Sequence, residues 1–193
     1  GQTGAVEDGL VLHDVDLGLA LEHAVAAPLC SRHLADLGAD VIKIERPGSG
    51  DFARNYDDWV LGQSSHFVWL NRGKRSVALD VKNADAREAL QRLIEGADVL
   101  VQNLAPGAAA RLGLSYEALK PKNPKLIVCD ISGYGESGPY VNKKAYDLLI
   151  QAEAGLIAVT GPADEPSRVG ISAADIATGM YALTGILSAL LRR

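Results

Sequence analysis

The stretch Leu37-Gly38-Ala39-Asp40-Val41-Ile42-Lys43-Ile44-Glu45-Arg46-Pro47-Gly48-Ser49-Gly50-Asp51 decides the fold. A helical pattern that opens at Pro28, a residue suited to a first turn, closes on Gly38, the kind of residue that ends helices. A short apolar run rich in Val and Ile follows at once and stops at a Pro/Gly turn, so Asp40–Ile44 reads as a buried strand. Helix, tight turn and buried strand together form one half of a β-α-β crossover, from which parallel sheets are built.

The same alternation continues on both sides. Leu17–Leu21, Ser76–Leu79, Val99–Val101 and Leu126–Ile131 read as further strands, each bounded by turn residues. Pro28–Leu37, Asn83–Glu95, Pro106–Leu112, Ser115–Leu119, Ala145–Ala154 and Ala174–Leu191 read as helices. In Asn83–Glu95, Leu90, Leu93 and Ile94 share one face, while Asp85, Arg87, Glu88 and Arg92 take the other. The fold class is α/β, a Rossmann-like, doubly wound, mainly parallel sheet with helices on both faces. Residues 17–193 read as one such domain, and residues 1–16 as a flexible leader without the basic and apolar regions of a signal peptide. The connection from Pro47 to Arg75 reads as irregular and long, and such loops carry function, so it counts as site material.

The 193 residues carry a net charge of -5 and 5% aromatics, which gives no basic field for nucleic acid. Cys30 and Cys129 lack metal spacing and read as reduced core thiols, which points to the cytoplasm. His13, His23, His33 and His66 are not at ligand spacing, so no metal site is expected. The apolar stretch from Ile176 to Leu191 falls short of the roughly 20 residues that span a bilayer and carries Thr178, Gly179, Thr184, Gly185 and Ser188. It reads as a buried helix, with no membrane partner. Its Gly179, Ala182, Gly185 and Ala189 stand at close-packing spacing and suggest a partner surface.

Gly133-Tyr134-Gly135-Glu136-Ser137-Gly138 matches the dinucleotide fingerprint in letters only. That fingerprint must open directly into a helix, and here Pro139-Tyr140-Val141-Asn142 follows, so the segment reads as a glycine-rich turn that shapes a pocket. No phosphate-binding P-loop, H-E-x-x-H or G-x-S-x-G pattern is present.

Three ordered blocks resemble family III CoA-transferases, a superfamily that includes formyl-CoA and dicarboxylate CoA-transferases and α-methylacyl-CoA racemases. The first is Ala27-Pro28 with the Leu37–Asp51 stretch. The second joins Asn71-Arg72-Gly73-Lys74-Arg75-Ser76, Leu79-Asp80-Val81-Lys82, Asp98-Val99-Leu100-Val101-Gln102-Asn103 and Pro106-Gly107. The third runs from Gly133 through Ala145-Tyr146-Asp147 to Gly170-Ile171-Ser172-Ala173-Ala174-Asp175-Ile176-Ala177-Thr178-Gly179.

The resemblance implies that CoA contacts fall on Val25, Ala26, Arg46, Leu79, Asp80, Val81, Lys82, Asn103, Leu104, Ala105, Arg111, Lys143, Lys144, Ala145 and Tyr146. It implies that Asp175 is the nucleophile, with Tyr146 and residues 133–138 serving the oxyanions. CoA bears a diphosphate and a 3′-phosphate, and Arg46, Lys82, Arg111 and Lys144 would supply matching cations. The alternative for Arg72-Gly73-Lys74-Arg75 and Lys143-Lys144 is solvated surface charge. Locally, Ser172-Ala173-Ala174-Asp175 favours a capping box, in which Asp175 returns to the Ser172 amide. The helix N-terminus equally suits an ionised nucleophile, and the resemblance selects that role. Asp147 and Glu153 read as structural or supporting carboxylates.

By resemblance, CoA passes from an acyl-CoA to an acceptor carboxylate through a mixed anhydride and an aspartyl-CoA thioester, with CoA as substrate and no tightly bound cofactor. Racemases place a histidine before the aspartate where this chain has Tyr146, a poor base at neutral pH. Ser64-Ser65-His66-Phe67-Val68-Trp69-Leu70-Asn71 and Lys143-Lys144-Ala145-Tyr146-Asp147 resemble members that use succinyl-CoA-like donors and branched or hydroxylated dicarboxylates, and Val25 stands where formyl-CoA transferase has glutamine, which counts against formyl or oxalyl substrates. The family's second small domain and interlocked homodimer are expected to need sequence beyond Arg193. A CoA-binding fragment or one half of a two-chain enzyme is the non-catalytic alternative.

Overall fold

A computed structural model describes residues 16–193; the expected leader lies outside the described residues except for Asp16. Five strands, β1 (Leu17–Leu21), β2 (Asp40–Glu45), β3 (Lys74–Ala78), β4 (Val99–Gln102) and β5 (Ile127–Asp130), form one sheet in the order β3-β2-β1-β4-β5. Every pair is parallel, with Leu19 opposite both Ile42 and Leu100. The chain winds outward from β1 to β3 and then crosses back to lay β4 on the other flank of β1. This creates a switch point between β1 and β4, where ligands enter α/β sheets at the carboxyl ends of the strands.

Alternation along the strands divides the core between the two faces. Leu19, Leu21, Ile42, Ile44 and Leu100 face α3 (Ala84–Glu95), α4 (Ala108–Arg111) and α5 (Tyr116–Leu119), where Leu90, Ile94 and Leu119 meet them. Ala20, Val41, Val99 and Val101 face α1 (Ala26–Asp36) and α7 (Ala173–Arg192), packed with Cys30, Leu34, Leu183 and Ile186. Gly38 has φ 104°, which only glycine adopts freely and which lets the chain turn from α1 into β2.

Two expectations change. The stretch from Pro47 to Arg75 is not wholly irregular: it contains a 3-10 turn, Phe52–Asn55, a helix α2, Ser65–Asn71, and the start of β3. Ser64 caps α2 by accepting from the Phe67 amide at 3.3 Å. The last helix is also not a fully buried one. Its 20 residues are long and apolar enough by length and composition to cross a membrane, yet Gly179, Leu183 and Ile186 pack inward. Met180, Tyr181 and Leu191 stay exposed. Along the same helix, Gly179 is pressed onto α1, while Gly185 faces open space. Between β5 and α7 lies α6 (Asp147–Glu153), which meets α7.

Candidate active site

The carboxyl ends of β1, β2 and β4 surround a cavity of about 100 Å³ whose lining includes Leu21, His23, Arg46, Phe52, Leu79 and Leu104. A second, larger one of about 590 Å³ adjoins it past Leu104, along Ala105, Pro106, Gly107 and the 130–136 segment. Asn103 ties the switch point together, accepting from the His23 amide at 3.0 Å and donating to the His23 carbonyl at 2.8 Å. Burial, with Arg46 and Lys43, lowers the pKa of His23 against the opposing pull of Asp51.

The expected CoA residues divide by what they can offer. Arg46, Lys82, Arg111 and Lys144 are exposed and, among the described residues, in no ion pair. Arg46 and Leu79 line the smaller cavity with Val81, and Leu104 lines both. Asp80 turns its carboxylate to the Lys82 amide at 3.1 Å, so Leu79–Lys82 is a tight turn that presents backbone. Val25 and Ala26 are buried at the start of α1, and their side chains belong to the core. Only their backbone can face a ligand, and α1 has no side-chain cap on its first amides. Asn103 spends its side-chain amide on His23. Lys143 is paired with Glu153, which also accepts from the Tyr134 hydroxyl, so it is not a free cation. Of the other cluster, Arg72 and Arg75 are exposed surface charges paired with Asp36 and Asp40, whereas the Lys74 side chain is buried against Glu22.

Behind the cavity lies a buried ionic cluster. Lys43 Nζ donates to Asp51 at 2.7 Å and to Asn71 at 2.9 Å, and Lys74 Nζ donates to Glu22 at 2.6 Å. Burial alone would raise the Glu22 carboxyl, but Lys74 and Lys43 overcome it and hold it below the usual range. Burial pushes Lys74 down to about 8 against the pull of Glu22. Glu45, burial notwithstanding, is held at about 2 by Arg54, Ser76 and the Asp51 amide. The cluster fixes the loop that carries Phe52 and Tyr56. In the sequence, Glu22 and Phe52 carried no signal of this role, His23 stood out only as a histidine away from ligand spacing, and Asp51 only as the end of the Leu37–Asp51 stretch.

Asp175 stands in the first turn of α7, half-buried. The capping box does not form: Ser172 makes no side-chain cap, and Asp175 does not return to it. The cap comes instead from Asp147, whose Oδ1 accepts from the amides of Ala174 at 2.8 Å and Asp175 at 3.2 Å. Among the described residues nothing hydrogen-bonds the Asp175 carboxylate. Burial first, and then the charge of Asp147, raise its pKa to about 6, so the helix N-terminus does not lower it as expected, yet it remains mostly ionised at pH 7. Burial first, and then the charges of Asp51 and Asp175, raise the Tyr56 pKa to about 12, and the Tyr56 ring lies 5.9 Å between centroids from Phe52, which lines the cavity. Asp175 therefore lies within electrostatic reach of the aromatic wall of the cavity, and Tyr146 is exposed at the start of α6. Gly133 lies so close to Ala145 that no side chain fits there, which seats the glycine-rich turn directly before Tyr146.

Comparison with known proteins agrees with this arrangement. The chain is 39% identical over 177 residues to succinyl-CoA:glutarate CoA-transferase of Mus musculus, covering 91% of this chain and 41% of that protein. It is 44% identical over 170 residues to formyl-CoA:oxalate CoA-transferase of Escherichia coli, covering 87% of this chain and 41% of the relative. The crystal structure of a CAIB/BAIF family protein from Brucella suis superposes with a TM-score of 0.89 at 39% identity, over 96% of this chain and 50% of the other. The chain thus spans less than half the length of these curated relatives. Glutarate and oxalate enzymes match it about equally well, so similarity alone does not choose a substrate. From residue 17 to residue 193 the sequence matches one family model, and the chain belongs to CoA-transferase family III.

Proposed function

We propose that this chain carries the CoA site and the nucleophile of a CoA-transferase that moves CoA from a succinyl-CoA-like donor to a carboxylic or dicarboxylic acid. The observation that carries the reading is the Asp175 carboxylate. It is half-buried, free of hydrogen bonds among the described residues, and within electrostatic reach of Tyr56, whose ring lies beside Phe52 in the cavity wall.

Ionised Asp175 attacks the thioester carbonyl, the carbon–sulfur bond breaks, and CoA thiolate leaves a mixed anhydride. The thiolate attacks the aspartyl carbonyl and releases the donor acid, forming aspartyl-CoA. The acceptor carboxylate attacks that thioester and expels the thiolate, which then attacks the acceptor carbonyl and frees Asp175. Charge balances at each step without a proton. In this reading Tyr146 and free amides of the 133–138 segment donate to the oxyanions. CoA enters as substrate, with no tightly bound cofactor, and the reading includes a homodimer in the cytoplasm, where Cys30 and Cys129 stay reduced.

The test is incubation with several acyl-CoAs followed by peptide mass spectrometry. A transferase gives an acyl or CoA adduct on Asp175 that is absent in Asp175→Asn. A racemase would instead exchange the α-proton with solvent deuterium, and a binding fragment would retain CoA and do neither.

A further inference from the structure

Asp147 and Gln151 lie one turn apart on α6, and together they hold the α7 start from outside. Gln151 is 1% exposed, and its side chain makes three contacts. It donates to Asp147 Oδ2 at 2.6 Å and to the Ile171 carbonyl at 3.2 Å, and accepts from the Val169 amide at 2.9 Å. Asp147 Oδ1 takes the amides of Ala174 and Asp175. One carboxylate and one amide therefore fix the end of the 154–172 segment, the first turn of α7 and the backbone of Asp175.

A local serine cap would satisfy the same amides at less cost in order. Ser172 has φ -72° and ψ 68°, and its hydroxyl is not used for this purpose. A cap supplied from 27 residues away does something a local cap cannot. It registers α7 against α6 and places a second negative charge beside Asp175, while leaving the Asp175 side chain without a partner. A carboxylate that must attack a carbonyl benefits on both counts, because it is neither consumed by a hydrogen bond nor too weak a base.

We infer that Asp147, locked by Gln151, is the positioning residue for the Asp175 carboxylate, setting both its place and its basicity. The inference rests on the reading of Asp175 as the reacting group. Burial and the Asp147 charge act on Asp175 in the same direction. The other charged groups near this end of α7 are few. Asp51 on the cavity loop and Asp175 both act on Tyr56, raising its pKa after burial, and Glu153 on α6 is paired with Lys143.

The experiment compares the unmodified chain with Asp147→Asn, Asp147→Ala and Gln151→Leu. The Asp175 carboxyl is titrated by carbon NMR, assigned through Asp175→Asn, and the rate of adduct formation with acyl-CoA is followed against pH. Asp147→Asn keeps an acceptor oxygen and loses the charge. Its new NH2 faces the Gln151 donor, so it should lower the melting temperature while remaining folded, and it should move the Asp175 midpoint down by about one unit. Asp147→Ala and Gln151→Leu should slow adduct formation at least about tenfold at pH 8, where ionisation is complete in all forms. An unmoved midpoint in Asp147→Asn, or undiminished rates in folded Asp147→Ala and Gln151→Leu, overturns the inference. If Asp147→Ala unfolds, the Asp147→Asn midpoint decides. A shifted midpoint in a chain that forms no adduct even when unmodified supports the coupling and overturns Asp175 as nucleophile, so the two failures are separable.

Discussion

Gly179 lies backbone-to-backbone on Ala26: a Cβ there would stand 2.6 Å from the Ala26 carbonyl oxygen and 3.1 Å from Leu29 Cβ. This contact lets α7 pack directly on the start of α1, where Val25 and Ala26 present their backbone. Gly179→Ala would force the helices apart, and overpacking of this kind costs about 1–3 kcal/mol. Gly185, on the same helix, faces open space, so Gly185→Ala should stabilise by up to about 1 kcal/mol through helix propensity. Urea unfolding of the two variants should give shifts of opposite sign. Shifts of the same sign would refute the packing described.

Lys43 sits in the middle of β2 with its side chain 1% exposed and its ammonium against Asp51 and Asn71. Such a pair adds little net stability over an apolar replacement of both partners, but removing one leaves a buried charge unpaired. Lys43→Met should therefore cost about 3–5 kcal/mol. The double variant Lys43→Met, Asp51→Asn should recover part of that loss. If the single variant melts within a degree or two of the parent, the cluster does not hold the cavity loop.

The five strands were legible because each is a short apolar run between turn residues, and β1 and β2 begin where the sequence places them, at Leu17 and Asp40. Helix α2 was not legible. Its seven residues bury only Leu70, too little to leave a helical period, although Ser64 was available as a capping signal. The partners of Lys43 were equally hidden, because Asn71 lies 28 positions away and no pattern in a strand reports a buried ammonium. At the candidate site, Ser172-x-x-Asp175 is a true local match to a capping box. The long-range cap from Asp147 displaces it, and only tertiary structure decides between them.

Cation placement separates the residues expected around CoA. Arg46→Ala and Lys144→Ala each remove an exposed, unpaired charge and should weaken CoA binding about tenfold, with a salt dependence that also falls. Lys143→Ala removes a charge already neutralised by Glu153, and its effect on the dissociation constant should stay within about twofold. Calorimetry at two salt concentrations measures all three. Equal losses for Lys143→Ala and Lys144→Ala would mean that the Glu153 pair opens to meet the phosphates.

Asp175 links reactivity to stability through its titration. Its folded pKa of about 6 lies above the ordinary aspartate value of 3.8, so between these two pH values the folded chain holds more protons than the unfolded one. Stability contributed by this group is therefore present below the ordinary value and lost as pH rises through about 6. Asp175→Asn mimics the neutral form and escapes that loss. The melting temperatures of the variant and the parent should coincide near pH 4 and diverge as pH rises. Above about pH 7 the variant should lead by roughly 2–4 °C, equivalent to about 1 kcal/mol in a chain this size. Solvent reaching the carboxylate screens the remainder of the shift. Over the same window the parent's rate of adduct formation should climb and level off above the midpoint, because only the ionised carboxylate attacks. A neutral variant less stable than the parent at pH 7, or a difference that ignores pH, would show that Asp175 is held as a structural anion, not kept free to react.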